Sequence, residues 1–414
     1  MRGDLMIAQG PLNSIRVLDF TERMQGPYAT QMLADMGADV VKVERRVAIT
    51  PDGRVDDRYG ANGRYGRDQD DSTIYAAGFL ANNRNKRSLT VDLKTAAGQA
   101  MIHRLIPKFD IVYENFRPGV MERLDLGYER CRELNPKIIY VSATGYGPNG
   151  PHAQKPGQDV LIEARTGWGE INSVDGKPVP VATAIADTLG AMNGAFGTVC
   201  AIVHALRTGE GQRVRTSLYE SAIAGMAEWG FHYLNSPQGA PRRPRPGHAS
   251  PYTPPPYGFY ATKDGHIALS SGRQIGKLSR ILGIDDLSQD DRFATYWARY
   301  ENREEFAAII EKALSAKTTA EWVELMEAED MFVAPVNTMD EAFADPAVAH
   351  AEMVVELDTP AGPLKFFGVP YKLDRTPASV RTPPPLHGEH TDQVLAEAGF
   401  TEDEIAELRS SQAI

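Results

Sequence analysis

At 414 residues the chain is long for a single hydrophobic core, so two domains are expected, one of them inserted in the other or following it. Apolar residues make up 42% and charged residues 24%, the balance of a soluble globular protein that needs neither disulfides nor a metal to fold. The net charge of −11 argues against nucleic acid or an anionic membrane as the partner, and any anionic ligand would need a local basic cluster.

The first third alternates short apolar runs with amphipathic stretches. Residues 15–20 (IRVLDF) read as a strand, 28–36 as a helix and 38–43 (ADVVKV) as a second strand. Residues 48–72 are polar and read as an exposed loop. SLTVDL then gives a strand after the basic NRNKR, residues 96–108 a helix, 110–113 a strand, 128–134 a helix and 138–142 a strand. This βαβ rhythm with short connections predicts a parallel sheet covered by helices. The opening MRGDLMIAQG has no basic segment leading into an apolar core, so no signal peptide is expected.

Residues 189–206 carry no charge over 18 positions, yet they include Asn193, His204 and three glycines. A buried helix packed closely through its glycines is expected there rather than a membrane span. RVRTSL is strand-like and a helix follows from Glu220. Residues 237–256 hold eight prolines in twenty positions and read as a crossing segment. YGFYATKDGHIALSS then reads as a strand, a turn at Lys263-Asp264-Gly265 and a second strand, followed by helices to Ala328. A proline-rich stretch from Val333 leads to a last helix over 401–411.

The chemistry gathers in a few places. VYENFRPGVMERLDLGYE ends a strand and offers Asn115, Phe116, Arg117 and Arg123, an amide, an aromatic face and two guanidiniums suited to a nucleotide with phosphates. Arg45 and Arg46 after one strand, and Lys86 and Arg87 before another, are expected to converge with that turn on a phosphate. Gly145-Tyr-Gly147-Pro-Asn-Gly150 matches a dinucleotide fingerprint, but Pro148, Pro151 and Pro156 forbid the helix that would hold a pyrophosphate, so NAD is not expected. Asp175, in an Asp-Gly turn, reads either as a backbone-capping turn residue or as a projecting carboxylate. Asp159 and Asp187, each flanked by apolar residues, are its rivals for a shifted, functional carboxylate. Cys131 and Cys200 read as inert packing residues in a reducing cytoplasm, and neither they nor the nine dispersed histidines supply a metal set.

GPYATQMLADMGADVVKVER, NRNKRSLTVDLK, ENFRPGVMERLDLGY, DGKPVPV, IADTLGAMNGAFG, TGEGQRVRTSLYE and GEHTDQVLAEAGF occur in order from Ile15 to the C-terminus. In this the chain resembles the family III CoA-transferases, the formyl-CoA and carnitine CoA-transferase group. The resemblance implies an α/β fold: a Rossmann-like large domain built from both chain ends, a smaller α+β domain between, and an interlocked, ring-like homodimer. The corresponding divisions are 1–215 for the large domain, 216–256 for the crossing segment, 257–330 for the small domain and 331–414 for the return.

It implies Asp175 as the nucleophile that takes an acyl group from an acyl-CoA as a mixed anhydride and then carries CoA as an aspartyl thioester. Coenzyme A is then a co-substrate, no cofactor is tightly bound, and the second partner is a small carboxylic acid. Arg45, Lys86, Asn115, Phe116 and Arg123 would hold the CoA adenine and phosphates. Gln25, which follows Met24 where the formyl-CoA transferases place a glutamine, would support the site together with Asp159, Asp187 and Gly272, and Thr144 stands in place of a lysine. The alternative within the superfamily is an α-methylacyl-CoA racemase, which places a histidine where this chain has Gln158.

Overall fold

The computed structural model describes residues 10–46, 64–65, 75–174, 176–236, 247–359 and 362–414. By contact the chain divides into two compact units. The first comprises 1–162, 183–225 and 346–414, and the second 163–182 and 226–345.

Six strands build the first unit: β1 Arg16–Asp19, β2 Asp39–Arg45, β3 Lys86–Val91, β4 Ile111–Glu114, β5 Ile139–Thr144 and β6 Arg213–Ser217. They lie in the order β3-β2-β1-β4-β5-β6 and every pairing is parallel. This is the doubly wound order, in which the chain leaves β1 for one side and returns at β4 for the other, opening a crevice at their carboxyl ends.

Side-chain alternation divides the strands between two apolar layers. Leu18, Val41, Leu89, Val112 and Tyr140 face helix α3 (Ala96–Leu105), helix α5 (Tyr128–Leu134) and the chain's last two helices, Thr391–Glu397 and Glu402–Ser410. Val17, Val40, Ile111, Tyr113, Ile139 and Val141 face helix α1 (Gln25–Asp35) and helix α8 (Ile185–Thr208). Between α1 and α3 lies α2 (Ala77–Asn82), and α4 (Val120–Arg123) precedes α5. α6 (Asp159–Thr166) and α7 (Trp168–Ile171) precede α8. Val394, Leu395 and Ile405 are buried in the first layer, which is how the C-terminus becomes part of this unit.

α1 begins three residues before the expected start and takes Pro27 into its first turn, where the missing N–H costs nothing. The helix expected over 96–108 stops at Leu105 and tightens into a 3-10 turn, Ile106–Lys108, around Pro107, which cannot continue an α-helical ladder. Within the crossing segment two stretches are helical, α9 (Leu218–Gly225) in the first unit and α10 (Ala227–Asn235) in the second. A hairpin, Val354–Thr359 with Gly362–Phe367, was not foreseen. Its strands alternate exposed with half-buried residues, apart from the buried Phe366, an alternation that the proline-rich reading of this stretch passes over.

α8 meets the membrane-span criterion by length and composition, but its glycine face packs on the sheet. A Cβ added at Gly194 would collide with the Tyr113 hydroxyl, and one at Gly190 would reach Gln25 Nε2 at 2.8 Å. The glycine face is buried as expected, whereas Met192, Phe196 and Leu206 on the other face are exposed, as is Cys200. Gly194→Ala should destabilise the protein by about 1–2 kcal/mol, because overpacking against a wholly buried ring outweighs the gain of roughly 1 kcal/mol in helix propensity. Chemical denaturation would measure this, and an unchanged or raised stability would show that the ring yields.

The second unit carries a three-stranded antiparallel sheet of β7 (Tyr257–Ala261), β8 (His266–Ser270) and β9 (Val333–Pro335), with β8 central. Its core comprises Tyr260, Leu269, Phe306, Ile310, Trp322 and Met326, contributed by the strands and by the helices Arg303–Leu314 and Thr319–Glu327. The β7–β8 turn closes through Thr262 N–H to the Gly265 carbonyl at 2.9 Å.

Candidate active site at the sheet switch point

The crevice between β1 and β4 is held together by side chains that leave the strand ends. Asn115, one residue past β4, donates from Nδ2 to the Glu22 carbonyl at 2.7 Å and accepts the Glu22 N–H on Oδ1 at 2.8 Å. The Glu22 carboxylate in turn pairs with Arg45 at the end of β2, 2.7 Å away. Asn115 and Arg45 are thus fixed on one framework, with the Arg45 guanidinium still partly exposed. Phe116 packs at the margin of the first apolar layer, and Arg123 on α4 is exposed, with no ion pair among the described residues. Four of the five expected CoA-binding residues therefore stand at the carboxyl edge of the sheet.

Lys86 does not stand there in any usable sense. It opens β3, so Lys86 and Arg87 belong to the amino edge of a strand parallel to β2, opposite the edge that carries Arg45. Its ammonium is wholly buried and donates to Asp19 Oδ2, the Pro27 carbonyl, Thr30 Oγ1 and Asn83 Oδ1 at 2.8–2.9 Å. Arg87 is likewise engaged, with Asp39 and Glu397. The expectation that Lys86 binds a phosphate is corrected on these grounds. Burial alone would raise the Asp19 carboxyl, but Lys86 first, then Lys42 and the Thr21 and Thr30 hydroxyls, hold it below the usual carboxylate range.

A second group of functional side chains gathers at the N-terminus of α8. Its N-cap, Ala184, has no capping side chain. Asp159, the first residue of α6, supplies one instead, its Oδ1 accepting the N–H groups of Ala186 at 2.8 Å and Asp187 at 3.2 Å. A carboxylate is favoured there because it meets unpaired N–H groups and the positive end of the helix dipole. Asp187 lies in the first turn of the same helix and is partly buried. Burial first and then the Asp159 charge push its carboxyl up to about 7, against a hydrogen bond from the Gln25 backbone N–H. Gln25 starts α1, is itself buried, and its Nε2 has no hydrogen-bond partner among the described residues. The arrangement offers a carboxylate at the edge of ionisation and, in the same unit, an amide donor left unpaired among the described residues.

Asp175 lies outside the described residues. The residues flanking it form a closed bridge, with Val174 and Lys177 exchanging backbone hydrogen bonds at 3.0 and 2.9 Å and Gly176 at a φ of +73°. Gly272 belongs to the second unit, is exposed, and accepts an Arg299 hydrogen bond on its carbonyl. Gly145-Tyr-Gly147-Pro-Asn-Gly150 follows β5 and opens no helix before Asp159, as the prolines require. Among the described residues no group of three or more His, Cys, Asp or Glu is placed to hold a metal. Burial pushes the Cys131 thiol up to about 12 and makes it unreactive. Glu22 was missed in the sequence, because its role is to link two loops that only the fold brings together.

The doubly wound sheet thus carries a basic, aromatic and amide-bearing switch point on one side of its crevice and a poised carboxylate in the same unit. The chain belongs to CoA-transferase family III, which it matches over residues 12–391. It is 36% identical to the succinate–glutarate CoA-transferase of Agrobacterium fabrum, over 95% of this chain and 97% of that one. It is 32% identical to the succinyl-CoA:glutarate CoA-transferase of Homo sapiens, covering 98% and 90% of the two chains. The crystal structure of Rv3272 from Mycobacterium tuberculosis superposes with a TM-score of 0.80 at 33% identity, covering 93% of this chain and 99% of that one.

Proposed function

We propose that this protein moves CoA from an acyl-CoA thioester to a free short-chain dicarboxylate, with succinyl-CoA and glutarate as first candidates, and that Asp187 is the nucleophile. The donor and acceptor are carried by the names of the two similar transferases. The choice of aspartate is carried by one observation: Asp187 shares the start of α8 with Asp159, whose Oδ1 accepts its N–H, and its carboxyl accepts the Gln25 backbone N–H while burial and the Asp159 charge hold it at the edge of ionisation. Asp175, which the family resemblance implies as the nucleophile, remains the competing assignment.

The chemistry runs as two acyl exchanges. An Asp187 oxygen adds to the thioester carbonyl carbon, the C–S bond breaks, and CoA leaves as thiolate from an acyl-aspartyl anhydride. The thiolate then attacks the Asp187 carboxyl carbon, releases the first acid as carboxylate, and leaves an aspartyl-CoA thioester. The acceptor carboxylate reverses both steps, and no net proton is consumed. The energy of the thioester is retained as long as water is kept from the anhydride. Gln25 Nε2 is suited to donate to the oxyanion formed at each addition. Arg45, Asn115, Phe116 and Arg123 would bind the nucleotide end of CoA. The exposed apolar face of α8, with Phe196 at 72% and Leu206 at 77% exposure, supports pairing with a second copy in an interlocked homodimer.

Incubation in D2O with succinyl-CoA or a 2-methylacyl-CoA, plus a panel of carboxylic acids, tests the reading by mass spectrometry of the CoA esters. Glutaryl-CoA or another new dicarboxylyl ester is expected. Deuterium entering the α-carbon of the 2-methylacyl ester, with no new ester formed, would make the protein a racemase instead.

A further inference from the structure

A cavity of about 240 Å3 opens beside the carboxyl end of β4, its neighbour β5 and the edge strand β6. It is lined by Glu114, Arg117, Glu122, Ser142, Arg213 and Arg215, so three guanidiniums face two carboxyl groups. None of Arg45, Asn115, Phe116 or Arg123 lines it. Arg117 and Arg215 are exposed and form no ion pair among the described residues. Arg213 donates to Ser142 Oγ at a long 3.4 Å and lies 5.9 Å from the Tyr128 ring, while its Nε is buried with no hydrogen-bond partner among the described residues. In a chain of net charge −11, a cavity with cationic surplus and an unused guanidinium donor is not a generic surface.

We propose that this cavity binds a small dianion, a tetrahedral oxyanion or a short dicarboxylate, through Arg117, Arg213 and Arg215. Arg213 and Arg215 project from β6 on the same face, because they are two residues apart on a strand, and their spacing suits two oxygens of one ligand. The site goes beyond the transferase reading, and its binding test does not depend on it.

Glu114 makes the site responsive to pH. Burial pushes its carboxyl up to about 7, although the Ser142 hydroxyl and the Phe116 N–H both donate to it. The charged and titratable groups around it are Arg117 in the following loop, Glu122 from α4, Ser142 and Tyr140 from β5, and Arg213 and Arg215 from β6. A bound dianion repels the ionised form, so binding draws a proton onto Glu114, and affinity rises as pH falls through 7. The same carboxyl holds the Phe116 N–H at 2.9 Å, so occupancy acts on the loop that carries Asn115 and Phe116.

The test is calorimetric titration of the full chain with sulfate and with malonate at pH 6.5 and 8, where sulfate is fully ionised and malonate is mainly the dianion, so the pH dependence is read from sulfate. One site per chain is expected. Affinity should fall roughly tenfold in Arg215→Gln and, independently, in Arg117→Gln, the scale of one charge-assisted contact. Affinity should also fall several-fold from pH 6.5 to 8 in the parent chain, and Glu114→Gln should remove that dependence. Preference for sulfate or for malonate identifies the ligand class. Absence of binding by both anions, or binding that neither arginine variant weakens, would overturn the proposal. Both arginines are exposed, so loss of fold does not confound the result.

Discussion

Asp187→Asn is expected to lower turnover by roughly a thousandfold or more while CoA still binds, because the substitution keeps the side chain's shape and removes only its nucleophilicity. The Ala186 and Asp187 N–H groups are held by Asp159 rather than by Asp187, so α8 keeps its start. Asp175→Asn should be the milder of the two. Trapping the enzyme-bound CoA thioester and locating it by peptide fragmentation decides between residues twelve positions apart in sequence. A thioester on Asp175, with Asp187→Asn still active, would reverse the assignment. The pH profile supplies an independent reading. With its carboxyl at about 7, Asp187 is increasingly protonated below neutrality, and kcat/KM should fall on the acid side. Removing the like charge with Asp159→Asn should move that limb to lower pH. An acid limb that does not move would mean that another group sets it.

Much of this architecture was legible in the sequence, and the reasons can be read at particular residues. Strands buried on both faces give continuous apolar runs, so VLDF and DVVKV announced a parallel sheet, and short βα connections announced its winding. ENFRPG announced the switch-point turn, because a strand ending in an amide, an aromatic and a guanidinium has few structural uses. What failed was convergence. Lys86 looked like a phosphate ligand because its neighbours in sequence are basic, yet parallel pairing sends the start of β3 and the end of β2 to opposite edges. Sequence also treats a lysine beside a strand as solvated, whereas Asp19 needed a counter-charge that only the fold could provide. Asp159 and Asp187 were noticed as candidates, but their meeting at one helix start depends on α6, which the proline-rich approach concealed. Glu114 was passed over as part of a strand, since its alternation places it in the first layer with no apolar partner to mark it.

Lys86→Met should cost about 3–5 kcal/mol at neutral pH, the range for removing one member of a buried ion pair. Four acceptors surround its three-donor ammonium, and both it and Asp19 have no exposed side-chain surface. The sign with pH follows from Asp19. In the parent chain its carboxyl is held low, so it adds stability above its ordinary range and loses that contribution as pH falls through the lowered folded value. In Lys86→Met the strongest opposing charge is gone and burial dominates, which raises the carboxyl instead. The variant is then least stable at neutral pH and recovers relative to the parent as acid neutralises the buried group. Denaturant unfolding at pH 7.5 and 5 should therefore show the gap narrowing on acidification, and Asp19→Leu added to Lys86→Met should restore part of the loss. A gap below about 1 kcal/mol at pH 7.5, or one that widens in acid, would mean that Lys42 alone neutralises Asp19. The consequence reaches the site, because Lys86 also binds the Pro27 carbonyl and Thr30 in the first turns of α1, the helix that begins with Gln25. A buried lysine thereby braces the first turns of the helix that begins with Gln25.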